Sequence, residues 1–359
     1  MILLALLLGA TAHATDVTLA GSIALDYRQF FGAPSKTPSL LGIDSIGLEV
    51  AQKAIVDVSH GVSVSVKVCA GCHGLEVDQA YAEVHLAEAA NLRVGRINVP
   101  LGEFNARHDP TNYTPPSKPL PYAMGDMLHY GPEGFNLGII PTPYSDNGIE
   151  LFGSLPLGEA AQLDYTLYAV KGLAGTNDFD FAASRRFQDN NHTPGVGGRL
   201  VGTAGSFALG ASIAAGAYDP SDKQRYLIVG LETYARVGKV VLRGEALARQ
   251  TELDPAAAGY SFKLIDPWFT KLGWYAQADL EATEWLTLLY RIDGLHRLGV
   301  PLPQSELDSS NARILRHTVG GLVRFKGGLM MKAGYEYWTF FGAPYAPAHV
   351  ARIALVFGY

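Results

Sequence analysis

Residues 62–69 read VSVSVKVC, and the alternation in this stretch decides the fold class. Its four valines occupy the even-numbered positions, whereas the odd-numbered positions hold two serines, a lysine and a cysteine. Because successive side chains of a β-strand point to opposite faces, the stretch predicts a strand with one apolar and one polar face. The same period of two recurs in residues 17–28, 329–337 and 353–359. Half-buried strands therefore dominate the chain.

Sixteen segments carry this period. We predict strands over residues 16–29, 43–57, 61–69, 75–86, 91–99, 148–156, 161–172, 195–203, 205–218, 225–237, 239–251, 272–281, 285–296, 312–325, 328–341 and 347–359. Short connections alternate with long polar ones, a rhythm typical of outer-membrane barrels with short periplasmic turns and long outer loops. The sequence thus predicts an all-β, porin-like transmembrane barrel of sixteen antiparallel strands. A soluble sandwich of two packed sheets is the alternative.

The composition excludes several other classes of protein. The chain has 359 residues, of which 48% are hydrophobic and 17% charged, yet no run of eighteen apolar residues follows residue 14. A helical membrane protein is therefore excluded. With 28 basic and 34 acidic residues the formal charge is −6, which argues against a nucleic-acid partner.

The first fourteen residues resemble an export signal. Residues 2–8 are apolar, and the triplet Ala-His-Ala at 12–14 fits a small-x-small cleavage site. We expect residues 1–14 to be a signal peptide and residues 15–359 to form the barrel in the bacterial outer membrane. Since no Lys or Arg precedes the apolar stretch, a misassigned start or a buried segment is the alternative.

Two stretches resemble a known family of channels. Residues 77–84 (VDQAYAEV) and 92–103 (LRVGRINVPLGE) are similar to the paired strands that precede the long third loop of phosphate- and polyphosphate-selective porins. The resemblance implies a trimeric, solute-conducting barrel whose long loop, here 100–147, folds into the lumen. Anion selectivity is not implied, because the family's basic ladder has no clear counterpart in this sequence.

The only two cysteines lie in the sequence Cys69-Ala70-Gly71-Cys72-His73. This C-x-x-C-H spacing is the attachment motif of c-type haem, in which two thiols bind the haem and the histidine binds its iron. We predict one covalent haem c held by Cys69 and Cys72, with His73 as the proximal iron ligand. A redox-active cysteine pair and a local disulfide are the alternatives. Because Cys69 continues the polar face of its strand, it should face the lumen.

A sixth iron ligand would come from the long loop. His85 is twelve residues from His73 along the returning strand, roughly 40 Å away, and is out of reach. Within the loop, Met124 and His108 are the preferred candidates, ahead of Met127 and His129, and an open sixth position is also possible.

These features predict an outer-membrane barrel with one haem that transfers electrons, together with a periplasmic or extracellular cytochrome. A passive solute-diffusion porin, in which the haem is a plug or gate, is the second interpretation. A haem enzyme or gas sensor is the third and least favoured, since no catalytic residues are predicted. The expected surroundings are outer-membrane lipid and small solutes or ions in the lumen.

Overall fold

The computed structural model describes residues 16–31, 44–71, 74–123, 127–130, 133–136, 138–175, 180–252, 268–298, 313–341 and 346–359. Eighteen strands lie in these ranges. They are β1 (Asp16–Phe31), β2 (Ser45–Ser59), β3 (Val62–Ala70), β4 (Leu75–Ala87), β5 (Ala90–Asn98), β6 (Met127–Tyr130), β7 (Glu133–Asn136), β8 (Ser145–Pro156), β9 (Ala161–Val170), β10 (Gly195–Ala204), β11 (Phe207–Ala217), β12 (Arg225–Val237), β13 (Val240–Glu252), β14 (Trp268–Glu281), β15 (Leu286–Leu298), β16 (Arg313–Arg324), β17 (Leu329–Phe341) and β18 (Ala348–Gly358).

Sixteen of these strands close into one antiparallel barrel. Each pairs with its neighbours along the chain, and β1 closes the ring by pairing with β18 from Ser22↔Gly358 to Phe31↔His349. Strands β6 and β7 form a separate hairpin, so that β5 pairs directly with β8. The predicted fold class and strand number are confirmed, and most strand ends agree within a few residues. The hairpin was not predicted.

The two ends of the barrel differ in their connections. At the end that holds the start of β1 and the end of β18, neighbouring strands are joined by short turns, such as 60–61 and 238–239. At the opposite end the connections are long, with one exception between β3 and β4. There Gly71 donates its backbone N–H to the carbonyl of Gly74, 3.0 Å away, and both glycines have a positive φ.

Side chains alternate between the two faces of the wall. On β3, Ser65, Lys67 and Cys69 are buried, whereas the valines between them are only partly covered. Large apolar side chains are exposed on the outside around the ring, for example Leu19 on β1 and Leu231 on β12, each more than 60% exposed. This outward apolar face and polar interior are those of a barrel surrounded by lipid.

The described helices are short. Helix α1 (Glu103–Ala106) and a 3₁₀ turn (Leu120–Tyr122) lie between β5 and β8, helix α2 (Phe181–Ser184) follows β9, and a second 3₁₀ turn (Lys326–Gly328) joins β16 to β17. No helix in the described ranges has the length and apolar character needed to cross a bilayer. The predicted signal peptide, residues 1–14, lies outside the described residues.

Candidate functional site

Residues 99–123 and 138–144, two parts of the connection between β5 and β8, lie inside the barrel and are called the inner loop. Leu101, Phe104 and Tyr122 of this inner loop are at most 2% exposed and belong to one apolar cluster with Tyr226 and Tyr275 of the wall. The ring of Phe104 lies 4.9 Å from that of Tyr122 and 6.4 Å from that of Tyr275. The loop thus fills the part of the lumen bounded by β11–β14, which leaves less room for solutes there.

Glu245 on β13 fixes the first part of the inner loop. Its carboxylate accepts hydrogen bonds from the Tyr122 hydroxyl, from the Phe104 backbone N–H at 3.1 Å and from the Tyr275 hydroxyl at 3.4 Å. Gly102 has a φ of 73°, and a Cβ there would collide with Glu245 Oε1 and Tyr122 Oη. Only glycine therefore lets the loop backbone lie against this carboxylate.

A second anchor connects the inner loop to β3. Lys67 Nζ lies 3.0 Å from His108 Nε2, 2.5 Å from Asp109 Oδ1 and 3.3 Å from Asp78 Oδ2 of β4. Burial raises the pKa of Asp109, but the positive charges of His108 and Lys67 outweigh this effect and hold the pKa below its ordinary value. The ion pairs therefore favour the charged form of the loop carboxylate.

A row of basic side chains, one per strand, forms the third anchor. The row consists of Arg291 on β15, Arg316 on β16, Lys332 on β17 and Arg352 on β18. The first three donate to inner-loop carbonyls: Arg291 to Ser117 at 2.8 Å, Arg316 to Lys118 at 2.6 Å and Lys332 to Pro110 at 2.5 Å. The sequence alone does not reveal this row, because strand pairing brings together residues that lie far apart along the chain.

Two carboxylates lie between the three arginines of this row. Asp293 lies 2.8 Å from Arg291 and 2.7 Å from Arg316, and Glu336 lies 3.6 Å from Arg316 and 3.3 Å from Arg352. Both carboxylates are fully buried. Buried charges of this kind are tolerated only when they are paired, so these ion pairs stabilise the three arginines beside the loop.

A cavity of about 220 Å³ lies beside the inner loop. It lies between loop residues 110–123 and the wall formed by β1, β2, β17 and β18. Its lining is Ala24, Asp26, Gly47, Leu48, Glu49, Gly71, Pro110, Tyr113, Pro116, Ser117, Lys118, Tyr122, Ala123, Thr142, Lys332, Arg352, Ala354 and Val356. Glu49 and the ammonium group of Lys118 have no hydrogen-bond or ion-pair partner among the described residues, so both can act on a passing solute.

The cysteine motif lies beside this cavity. Cys69 faces the interior on the same side of β3 as Lys67, and its side chain is 1% exposed and disulfide-bonded. Gly71 lines the cavity and packs so closely on β2 that a Cβ would lie 1.8 Å from the Leu48 carbonyl. Cys72, His73 and Met124 lie outside the described residues.

This surrounding does not fit a haem on Cys69. Thioether attachment requires a free thiol with space beside it, whereas the sulfur here is enclosed and oxidised. His108 is also engaged at both ring nitrogens, since Nδ1 lies 2.7 Å from the Asn105 carbonyl and Nε2 faces Lys67. Haem binding by Cys69, Cys72 and His73 stays a prediction, as do Met124 and His108 as iron ligands.

Sequence reasoning missed Glu245 and the basic row. From the sequence, a charged residue on the inward face of a strand is interpreted as an ordinary pore-lining residue. The neighbouring residues do not indicate that a loop more than a hundred residues away will cover it. The available signal is the alternation of side chains along each strand, which separates inward-facing from outward-facing positions. It identifies which charges face the lumen but not which of them meet the loop.

Comparisons with solved structures agree with this architecture. OmpF of Salmonella typhi, solved in complex with daunomycin, superposes with a TM-score of 0.61 at 10% identity, over 96% of this chain and 97% of that one. The outer-membrane channel DcaP of Acinetobacter baumannii gives 0.59 at 12% identity, over 97% and 98%. OmpT of Vibrio cholerae in a trimer form gives 0.55 at 9% identity, over 96% and 99%. No protein-family model and no curated protein sequence matches the chain. The fold is therefore that of bacterial outer-membrane porins.

Proposed function

We propose that the protein is a non-enzymatic channel of the bacterial outer membrane through which small polar solutes diffuse. The observation that carries this proposal is the cavity between the inner loop and β1, β2, β17 and β18, which Glu49 and Lys118 line with charges of opposite sign. The opposite part of the lumen is filled by the apolar cluster around Phe104. Solutes therefore pass on the charged side of the loop.

The geometry gives this path a narrow, polar constriction. Three basic residues hold the loop by its carbonyls, so the width of the path is fixed by the barrel wall. Charged groups lining a narrow passage select solutes by size and charge, because there is little water to screen them. Glu49 stands on the wall and Lys118 on the loop, so solutes meet charges of both signs.

The test is planar-bilayer conductance of the full chain and of two matched tryptophan variants. Ala354 lines the cavity, whereas Ala351 lies on the outward face of the same strand. We expect stepwise conductance that Ala354→Trp reduces by more than half and Ala351→Trp leaves unchanged. Absence of conductance steps, or equal effects of the two variants, would overturn the proposal.

A trimer is proposed as the assembly, supported by the trimer form of OmpT among the structural neighbours. Native mass spectrometry of the detergent-purified protein should give three times the mass of the chain. A single chain mass under conditions that preserve conductance would contradict it.

The haem-bearing form is the second candidate, and the spacing of the C-x-x-C-H motif supports it. Cys69 and Cys72 would hold the haem and His73 its iron, and the bound group would supply one-electron chemistry. Electron transfer with a cytochrome partner, the plug or gate role, and the haem enzyme or sensor all depend on this attachment. The enclosed, disulfide-bonded Cys69 favours the form without haem.

Haem staining on a denaturing gel separates the two forms, using protein made in cells that attach c-type haem. For the form without haem, we expect no stain and a polypeptide mass without added haem. Staining that disappears in Cys69→Ala would establish the haem instead. Because conductance is measured separately, neither outcome decides the channel proposal.

A further inference from the structure

The outward face of β15–β18 carries a cluster of imidazole and phenol side chains. The cluster, called the imidazole patch here, consists of Tyr290, His317, Tyr335, Tyr337 and His349. His317 stands directly opposite Tyr337, and Tyr337 directly opposite His349, so that a continuous row crosses three strands. The row lies on the lipid side of the wall, because the alternate positions carry the buried Arg316, Glu336 and Val350.

Two equivalent hydrogen bonds organise the imidazole patch. The Tyr290 hydroxyl lies 2.8 Å from His317 Nδ1, and the Tyr335 hydroxyl lies 2.7 Å from His349 Nδ1. In each pair the tyrosine is on the preceding strand. When the hydroxyl donates to Nδ1, the imidazole carries its hydrogen on Nε2. Neither Nε2 has a partner among the described residues, so two N–H donors are available on the lipid side, one on each side of Tyr337.

The position of the patch along the strands matches the edge of the apolar band. Phe357 lies near the short-turn end of β18, and His349 lies eight residues before it, near the long-loop end. At ~3.3 Å per residue and a tilt of about 40°, this corresponds to roughly 20 Å along the membrane normal, close to the height of the apolar band of such barrels. At the corresponding position of β12, eight residues before Val237, the outward side chain is Val229, which is 42% exposed. The corresponding position of β12 therefore carries an apolar side chain and no imidazole.

We propose that the imidazole patch binds the phosphate of an anionic lipid headgroup in the membrane leaflet next to the long loops. Two N–H donors at the edge of the apolar band suit phosphate oxygens, while Ile353 and Leu355 below them contact the acyl chains. Arg313 lies four residues beyond His317 on β16, exposed over the ring of Phe341, and adds positive charge on the headgroup side. A zwitterionic headgroup also offers a phosphate, but its cation would be repelled by Arg313.

Native mass spectrometry of the full chain with added lipid tests this proposal. We expect phosphatidylglycerol to be retained several-fold better than phosphatidylcholine, and the double variant His317→Phe/His349→Phe to lose about fivefold of that preference. Phenylalanine keeps the rings and removes only the donors. His85→Phe, on an exposed histidine near the short-turn end of β4, is the matched control and should change nothing. Conductance equal to that of the unmodified protein verifies that each variant is folded.

Two further measurements keep the alternatives apart. Tyr335→Phe removes one hydroxyl that orients an imidazole, and we expect it to lose about twofold of the lipid preference. Added inorganic phosphate should not displace the lipid, because acyl contacts contribute to its binding; displacement would indicate a free-phosphate site. Equal retention of both lipids by all variants would overturn the proposal. The proposal would also be overturned if the double variant changed its oligomeric state but retained lipid as before. That result would assign the patch to a contact between two copies of the chain.

Discussion

The two sides of the lumen hold the same inner loop by different chemistry. On the side of β11–β14, Glu245 is enclosed by aromatic side chains and accepts from two phenols and a backbone N–H. On the side of β15–β18, cations donate to loop carbonyls, and the arginines among them are paired with Asp293 and Glu336. The first side is closed by apolar packing, whereas the second borders the cavity. Both sides therefore hold the loop, and only the charged side borders the cavity that we propose as the solute path.

The largest effect should come from Asp293→Ala, which leaves the buried guanidinium groups of Arg291 and Arg316 without their shared carboxylate. Loss of one partner of a buried ion pair costs about 3–5 kcal/mol. Urea unfolding of the protein in lipid vesicles should show this loss in the free energy of unfolding. Asp293→Asn retains one acceptor and should lose less; a loss below about 1 kcal/mol in Asp293→Ala would mean that the row does not stabilise the barrel.

Glu245→Ala tests the apolar side. Tyr122, Tyr275 and the Phe104 N–H lose a buried acceptor, so we expect unfolding to require about 2–3 kcal/mol less. Glu245→Gln keeps an acceptor and should restore part of this difference. Since Glu245 does not line the cavity, single-channel conductance should stay the same in the glutamine variant. A large change in the conductance of this variant would contradict the difference between the two sides.

The anchor on β3 should depend on pH. Because the pKa of Asp109 is lowered by His108 and Lys67, its ionised form stabilises the folded state at neutral pH. This contribution is present above the unfolded pKa near 3.9 and is lost as the pH falls through the lower folded value. Asp109→Asn should therefore be roughly 1–2 kcal/mol less stable than the unmodified protein at pH 7, with the gap closing below about pH 3. A gap that widens on acidification would contradict the assignment.

Ion selectivity is the smallest expected change. Reversing the charge of Glu49 should lower the ratio of cation to anion permeability about threefold, because the side chain lines the cavity. Reversal potentials in a salt gradient measure this ratio for Glu49→Lys. Glu88→Lys, in an exposed turn at the other end of the barrel, is the matched control. Equal shifts in the two variants would show that net charge, and not position, sets the selectivity.

The sequence predicts the barrel well because the strand signal is local. Alternation over ten or so residues fixes which side chains face lipid, and the lengths of the connections fix the two ends. Cys69 was expected on the lumen side from the valines that precede it, and the structure places it there. These features require only neighbouring residues, so one sequence is enough.

The site was harder to predict because its contacts are long-range. Arg291 meets Ser117 across 174 residues of sequence, and Glu245 meets Phe104 across 141. The motif at Cys69 is recognisable in the sequence because its spacing is distinctive. The cavity has no comparable signature: Ala24, Glu49, Lys118 and Arg352 come together only when the ring closes and the loop folds inward.

Chemical modification of a cysteine at position 49 tests the central claim most directly. Single-channel conductance of Glu49→Cys should fall by more than half after reaction with a bulky methanethiosulfonate reagent, because the modified side chain lies in the solute path. The unmodified chain, whose Cys69 is disulfide-bonded, and Ser212→Cys, on the packed side where its hydroxyl now accepts from Gly102, should keep their conductance. Conductance that persists in labelled Glu49→Cys but falls in labelled Ser212→Cys would contradict this account and place the path on the other side of the loop.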